Sequence, residues 1–126
     1  MERVTDTGGF GETAGYSRAV RAGPHVAVSA TAPLEEGRVV HAGDSYRQTQ
    51  FAIQRALDAA AELGAGRDDV LRTRLLLAPD CDWREAARAH AETFAGVDPA
   101  NTTYYVGRLI PDGALVEVEL DAALSD

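Results

Sequence analysis

The segment that most constrains the fold is residues 44–64, which read as one uninterrupted helix. Ile53, Ala56, Leu57, Ala60 and Leu63 form a single apolar stripe along it at helical spacing. Asp44 or Ser45 caps its start and Gly64 closes it. A helix that is apolar along one stripe has to bury that stripe against another layer. The flanking segments supply one. Residues 17–22 and 25–31 read as strands joined by a tight turn at Gly23-Pro24, and residues 70–78 read as a third strand. The run Leu75-Leu76-Leu77 suggests that this third strand is buried on both faces.

A second helix is expected from Asp82, where Asp82 and Glu85 make a start resembling a capping box, to about Gly96. Trp83, Ala87, His90 and Phe94 share its apolar face. Two last strands, residues 102–109 and 114–122, are split by the turn Pro111-Asp112-Gly113, and Val39-Val40 is a short extended piece. The order ββαβαββ predicts an α+β sandwich of two layers, with both helices on one face of the sheet. At 126 residues there is material for one core. The Gly- and Thr-rich residues 1–15 are expected to be a flexible arm, and residues 16–126 a single domain.

The other face of the sheet must meet water or a partner. Strand alternation assigns it Ser29, Thr31, Asn101, Thr103, Tyr105, Glu117 and Glu119, and turns Tyr104 toward the helices. Such a mixture of aromatic and polar groups suits a cleft between copies of the chain.

Composition excludes several classes. The net charge is −8, and all twelve basic residues are arginines scattered along the chain. Phosphate backbones are bound by clustered cations, so nucleic-acid binding is not expected. No apolar run approaches the roughly 20 residues of a membrane span. The N-terminus lacks the basic start and apolar stretch of a signal peptide, and a lone Cys81 agrees with a reducing compartment, so the cytoplasm is expected. His25, His41 and His90 have no partner at metal-ligand spacing, so no metal is expected. Cys81 lies between Asp80 and Asp82, neighbours that raise a thiol pKa, and should be unreactive. The glycines at 8–11 lack a preceding strand and are not a phosphate fingerprint. Ser29 lacks the strained elbow of a serine nucleophile.

The stretches GYSRAV (15–20), HVAVSATAP (25–33), QTQFAIQRALDAAAELGAGRDDVLRTRLLL (48–77), DPANTTYYV (98–106) and LVEVELDA (115–122) resemble the Rid/YjgF family of reactive-intermediate deaminases. The resemblance spans about residues 15–123. It implies a chorismate-mutase-like subunit, a homotrimer with small-molecule clefts between subunits, and no metal or organic cofactor. In such proteins an arginine after Pro-Ala grips the carboxylate of a 2-imino acid, and a glutamate near the C-terminus positions the attacking water. Carried over, the glutamate is Glu117, the cleft tyrosine Tyr16, the small hydroxyl Ser29, and the position two after the arginine Thr103.

The arginine position itself holds Asn101, in Pro99-Ala100-Asn101. Each charge-assisted bond of an Arg–carboxylate clamp is worth about 1.5–3 kcal/mol, against about 1 kcal/mol for a neutral amide bond. The exchange weakens carboxylate binding by roughly one to three orders of magnitude. Arg88 falls where the family often places a cleft asparagine, and reads either as a replacement anchor or as an ordinary solvated or interface arginine. Tyr16 and Tyr105 read equally as cleft walls or packed surface aromatics. Without the resemblance Glu117 would read as a solvated polar edge, and His90 reads as a satisfied core histidine. The resemblance therefore implies an enzyme that hydrolyses or tautomerises a small enamine or imine. The alternatives are a binding or sensing trimer without catalysis and, less compatible with this charge, a ribonuclease.

Overall fold

The computed structural model describes residues 1–7 and 10–125. Its strands are β1 (Glu2–Val4), β2 (Ala19–Ala22), β3 (His25–Thr31), β4 (Leu34–Glu35), β5 (Arg38–Val39), β6 (Val70–Leu77), β7 (Ala100–Tyr105) and β8 (Val116–Ala123). The helices are α1 (Gly11–Ala14), α2 (Ser45–Glu62) and α3 (Trp83–Phe94). Six strands form one sheet in the order β1-β2-β3-β8-β6-β7, and β4 and β5 make a separate hairpin. The expected ββαβαββ framework is β2, β3, α2, β6, α3, β7 and β8, an α+β fold with a helical layer over one sheet face.

The core sits between those layers. Val26 and Val28 of β3, Leu75 and Leu77 of β6, and Val116, Val118 and Leu120 of β8 bury one sheet face under Ala52, Ile53, Ala56 and Ala60 of α2 and Phe94 of α3. The caps of α2 follow the sequence: the Asp44 side chain accepts from the Arg47 N–H at 2.9 Å, and Gly64 takes φ +94° beyond the last turn. On α3 the buried positions are Ala86, Ala89 and Phe94, while Trp83 and Ala87 are exposed. The buried face is therefore turned from the expected one, because the alanines of α2 and α3 let the two backbones approach closely.

The structure corrects four further expectations. Residues 1–15 are not simply an arm: Glu2–Val4 pairs antiparallel with β2, and Asp6 is buried. The expectation for the glycines at 8–11 falls partly on residues 8 and 9, outside the described residues. β6 buries only one face, with Arg72, Arg74 and Leu76 half-exposed on the other. Strand β7 runs from Ala100 to Tyr105 rather than over 102–109, and Leu109 instead joins Ala78 and Ala114 in a small second cluster that covers Leu76. Finally, a bulge in β3 between Val28 and Thr31 sets Thr31 opposite the buried Val118, so Thr31 turns to the helical side.

Candidate functional site

The alternation of β8 is regular. Val116, Val118 and Leu120 are buried under the helices, so Glu117, Glu119 and Asp121 point to the open face. Glu117 lies beside Leu76 of β6, and Arg74 pairs with Glu119 at 3.4 Å and with Asp121 at 3.2 Å. Glu119 is thereby occupied by an ion pair, and Glu117 is left as the carboxylate without one among the described residues.

Glu117 opens into a groove of about 1120 Å³ that also includes Tyr16, Arg18, Ser29 and Ile110 in its lining. Burial pushes the Glu117 carboxyl above the usual range; the Arg18 guanidinium opposes the shift, and the Glu119 charge adds to it. Ser29 sits in the β3 bulge, and its hydroxyl donates to the Ser17 carbonyl at 2.7 Å. With its proton committed, Ser29 can offer a ligand only lone pairs, which agrees with a hydrogen-bonding rather than a nucleophilic role. Tyr16 is 42% exposed at the groove's edge.

Arg18 was not singled out in the sequence, yet it organises this groove. One of its terminal nitrogens donates to the Ser29 and Ala30 carbonyls, each at 2.7 Å, and so clamps the bulge. The other meets the buried Asp6 at 3.4 Å, and Asp6 in turn accepts from the Gly11 N–H at 2.8 Å. The Arg18 Nε is buried without a hydrogen-bond partner among the described residues. The available signal was parity: in an extended segment Arg18 shares a side with Tyr16.

The other expected residues are not in this groove. β7 pairs parallel to β6 with Asn101 beside Thr73, Thr103 beside Leu75 and Tyr105 beside Leu77, all neighbours on the helical side. Asn101, Thr103 and Tyr105 therefore leave the sheet on the side opposite Glu117, and Tyr104 shares the side of Leu76 and Glu117, the reverse of the expected assignment. They remain exposed because β7 is the edge strand. The Asn101 amide donates to the Thr73 hydroxyl at 3.0 Å and accepts from the Thr103 hydroxyl at 2.8 Å. Thr73 is fully buried and meets His90 Nε2 at 2.7 Å, so His90 is a satisfied, half-buried histidine, as expected. Tyr105 donates its phenol to the Cys81 carbonyl at 2.7 Å.

Arg88 is no free anchor. Its guanidinium donates to Glu85 at 2.8 Å, lies 3.7 Å from Glu92, and stacks over the Tyr46 ring at 3.7 Å. Burial raises the Cys81 thiol pKa, which keeps it protonated. Among the described residues no group of His, Cys, Asp and Glu is arranged to hold a metal ion, and no helix is long and apolar enough to cross a membrane.

The family model described as endoribonuclease L-PSP matches residues 10–124. An uncharacterized protein of Streptomyces coelicolor is 38% identical over 122 residues, covering 97% of this chain and 91% of that one. A RutC family protein of Pyrococcus abyssi is 30% identical over 106 residues, 82% of each chain. Among solved structures, a Mycobacterium tuberculosis member of the YjgF/YER057c/UK114 family superposes with a TM-score of 0.86 at 36% identity, covering 98% of both chains.

Proposed function

The chain belongs to the endoribonuclease L-PSP family, the YjgF/YER057c/UK114 family of its mycobacterial relative, and we propose on that premise that it is a cofactor-free cytoplasmic enzyme acting on a small enamine or imine. Its cleft forms between copies of the chain in a homotrimer. The observation that carries this reading is Glu117, a half-buried carboxylate of raised pKa, without an ion pair among the described residues, facing a groove edged by Tyr16 and Ser29.

In the proposed reaction Glu117, as the carboxylate, accepts a proton from water as the water oxygen bonds to the imine carbon. The imine nitrogen, protonated on entry, becomes the amine of the carbinolamine. Glu117 then gives its proton to that nitrogen, the carbon–nitrogen bond breaks as the hydroxyl oxygen forms the carbonyl, and the hydroxyl proton leaves with ammonia as ammonium. In tautomerisation the same carboxylate moves a proton between carbon and nitrogen. Tyr16 and Ser29 line the Glu117 side of the cleft, and Asn101, Thr103 and Tyr105 of a second copy close it. The substrate is not a standard 2-imino acid, since Asn101 replaces the carboxylate-binding arginine and Arg88 is neutralised by Glu85 and Glu92.

The test is ammonia release from freshly generated imines, comparing the wild type with Glu117→Gln and Asn101→Arg. Loss of turnover in Glu117→Gln with assembly intact is expected, together with a gain on 2-imino acids in Asn101→Arg. An unchanged rate in Glu117→Gln would remove the glutamate from the mechanism.

Asparagine rather than arginine at position 101 favours one second reading, a trimer that binds a small ligand without consuming it. Recovery of a tightly bound ligand unchanged supports that reading. The family description names an endoribonuclease, but a net charge of −8 without lysine gives RNA little to hold.

A further inference from the structure

A chain of hydrogen bonds runs from the half-buried His90 to the surface of β7: His90 Nε2 to Thr73 Oγ1 at 2.7 Å, Thr73 Oγ1 to Asn101 Nδ2 at 3.0 Å, and Asn101 Oδ1 to Thr103 Oγ1 at 2.8 Å. On the proposed reading, in which Asn101 and Thr103 line the ligand cleft, we infer that this half of the cleft presents hydrogen-bond acceptors, with His90 as the positioning residue that fixes its polarity through Thr73. The cleft then selects a substrate bearing N–H donors, such as an amide or amine, where a carboxylate would otherwise sit.

The direction of the chain follows from proton counting. Asn101 Nδ2 also faces the Thr73 backbone carbonyl at 3.5 Å, and a carbonyl only accepts, so the amide nitrogen points inward. Thr73 Oγ1 then accepts from Asn101, and its own proton needs an acceptor because the side chain is fully buried. His90 Nε2 is that acceptor, provided the ring is neutral with its proton on Nδ1. Burial holds the His90 pKa below the usual histidine range, which keeps the ring neutral.

At the surface end, Thr103 gives its only proton to Asn101 Oδ1. What remains outward are the two lone pairs of Thr103 and one of Asn101. These oxygens repel a carboxylate and receive an N–H. A proton on Nε2 would reverse every bond in the chain: Thr73 would donate outward and the Asn101 amide would turn its nitrogen to the cleft. The sequence reading of Asn101 as a neutral donor to a carboxylate is therefore inverted.

Two measurements on the full-length protein test this. The first is the ring-nitrogen NMR spectrum of His90 at neutral pH, expected to show Nε2 unprotonated and Nδ1 carrying the proton. The second compares binding of 2-oxopropanamide and pyruvate, which differ only in amide against carboxylate, in the wild type and in Thr73→Val. The amide is expected to bind the wild type about tenfold more tightly, and Thr73→Val, which frees the Asn101 amide to turn, is expected to bring the two near parity. A proton on Nε2, pyruvate bound at least as well as the amide, binding of neither probe, or an undiminished preference in Thr73→Val each overturns the inference. A Thr73→Val chain that fails to fold leaves the wild-type spectrum and probe preference to decide. Loss or survival of turnover in Glu117→Gln tests the catalytic reading separately, since Glu117 takes no part in the chain from His90.

Discussion

Glu117 and Asn101 leave opposite faces of one sheet: Glu117 stands beside Leu76 on the open face, and Asn101 stands beside Thr73 on the helical face. Adjacent β6 residues alternate faces, so no rotamer of either side chain brings the two together across the strand that separates them. A site using both residues takes one from each of two copies. This relationship within a single chain supports the shared cleft proposed above.

It leads to a complementation experiment. Glu117→Gln removes the carboxylate from one half of each cleft, and Asn101→Trp fills the other half. Each variant alone is expected to be inactive. Unfolded together and refolded as mixed assemblies, they regain clefts in which both halves are wild type, restoring about a quarter of the wild-type rate if subunits combine at random in a closed ring. Steady-state turnover of the mixture against each parent measures this, and no recovery would mean that each copy carries a complete site of its own.

The pH dependence follows from Glu117. As a base it acts only when ionised, so kcat/KM rises with pH around its pKa, which burial has lifted above the ordinary glutamate range. Arg18 opposes that shift and Glu119 reinforces it. Arg18→Gln should therefore move the acid limb to higher pH and Glu119→Gln to lower pH. Stability runs the opposite way with pH. The folded chain holds the Glu117 proton more tightly than the unfolded chain, so this residue's contribution falls as pH rises from the unfolded pKa to the raised one. Glu117→Gln should gain stability over the wild type near neutrality and lose that advantage below the ordinary glutamate range, as read by urea midpoints at each pH.

What was legible in the sequence is what one chain segment decides for itself. The α2 stripe and caps, and the strict alternation of β8 that exposes Glu117, depend on local periods and are found where expected. The face of β7 was not legible. Asn101, Thr102, Thr103, Tyr104 and Tyr105 offer no apolar side to read, and as an edge strand parallel to β6 its register depends on the path of the intervening chain through α3. Thr31 was misassigned because a bulge adds one residue without a composition signal. Helical spacing groups Trp83 with Ala87, His90 and Phe94, whereas the face that α3 buries carries Ala86, Ala89 and Phe94 and leaves Trp83 exposed.

Gln48 is a second residue whose role only the tertiary structure discloses. It is fully buried on α2; its amide donates to the Gly113 carbonyl at 3.2 Å, and its oxygen accepts from the Leu115 N–H at 2.8 Å. Those contacts fix the entry to β8 just before Glu117. Gln48→Leu fills similar space but removes the partner of the half-buried Leu115 N–H and of the exposed Gly113 carbonyl, two hydrogen bonds worth about 0.5–1.5 kcal/mol each. The expected loss is about 1–3 kcal/mol in equilibrium urea unfolding. A near-neutral result would show that water or a backbone shift satisfies both groups.

The N-terminal segment gives the last prediction. A Cβ on Gly11 would lie 2.5 Å from the Asp6 Cβ and 2.6 Å from the Tyr16 carbonyl, so Gly11→Ala forces Asp6 or Tyr16 to move. Asp6 holds both the Gly11 N–H and Arg18, and Arg18 holds the β3 bulge at Ser29 and Ala30. The clash therefore reaches the groove through named contacts rather than through general loosening. Gly11→Ala should cost about 1–3 kcal/mol, speed amide exchange in Glu2–Val4, and weaken ligand binding on the Glu117 side while leaving the His90 ring spectrum unchanged. If amide exchange in that strand keeps its wild-type rate, the buried Asp6 is not what ties the segment to the sheet.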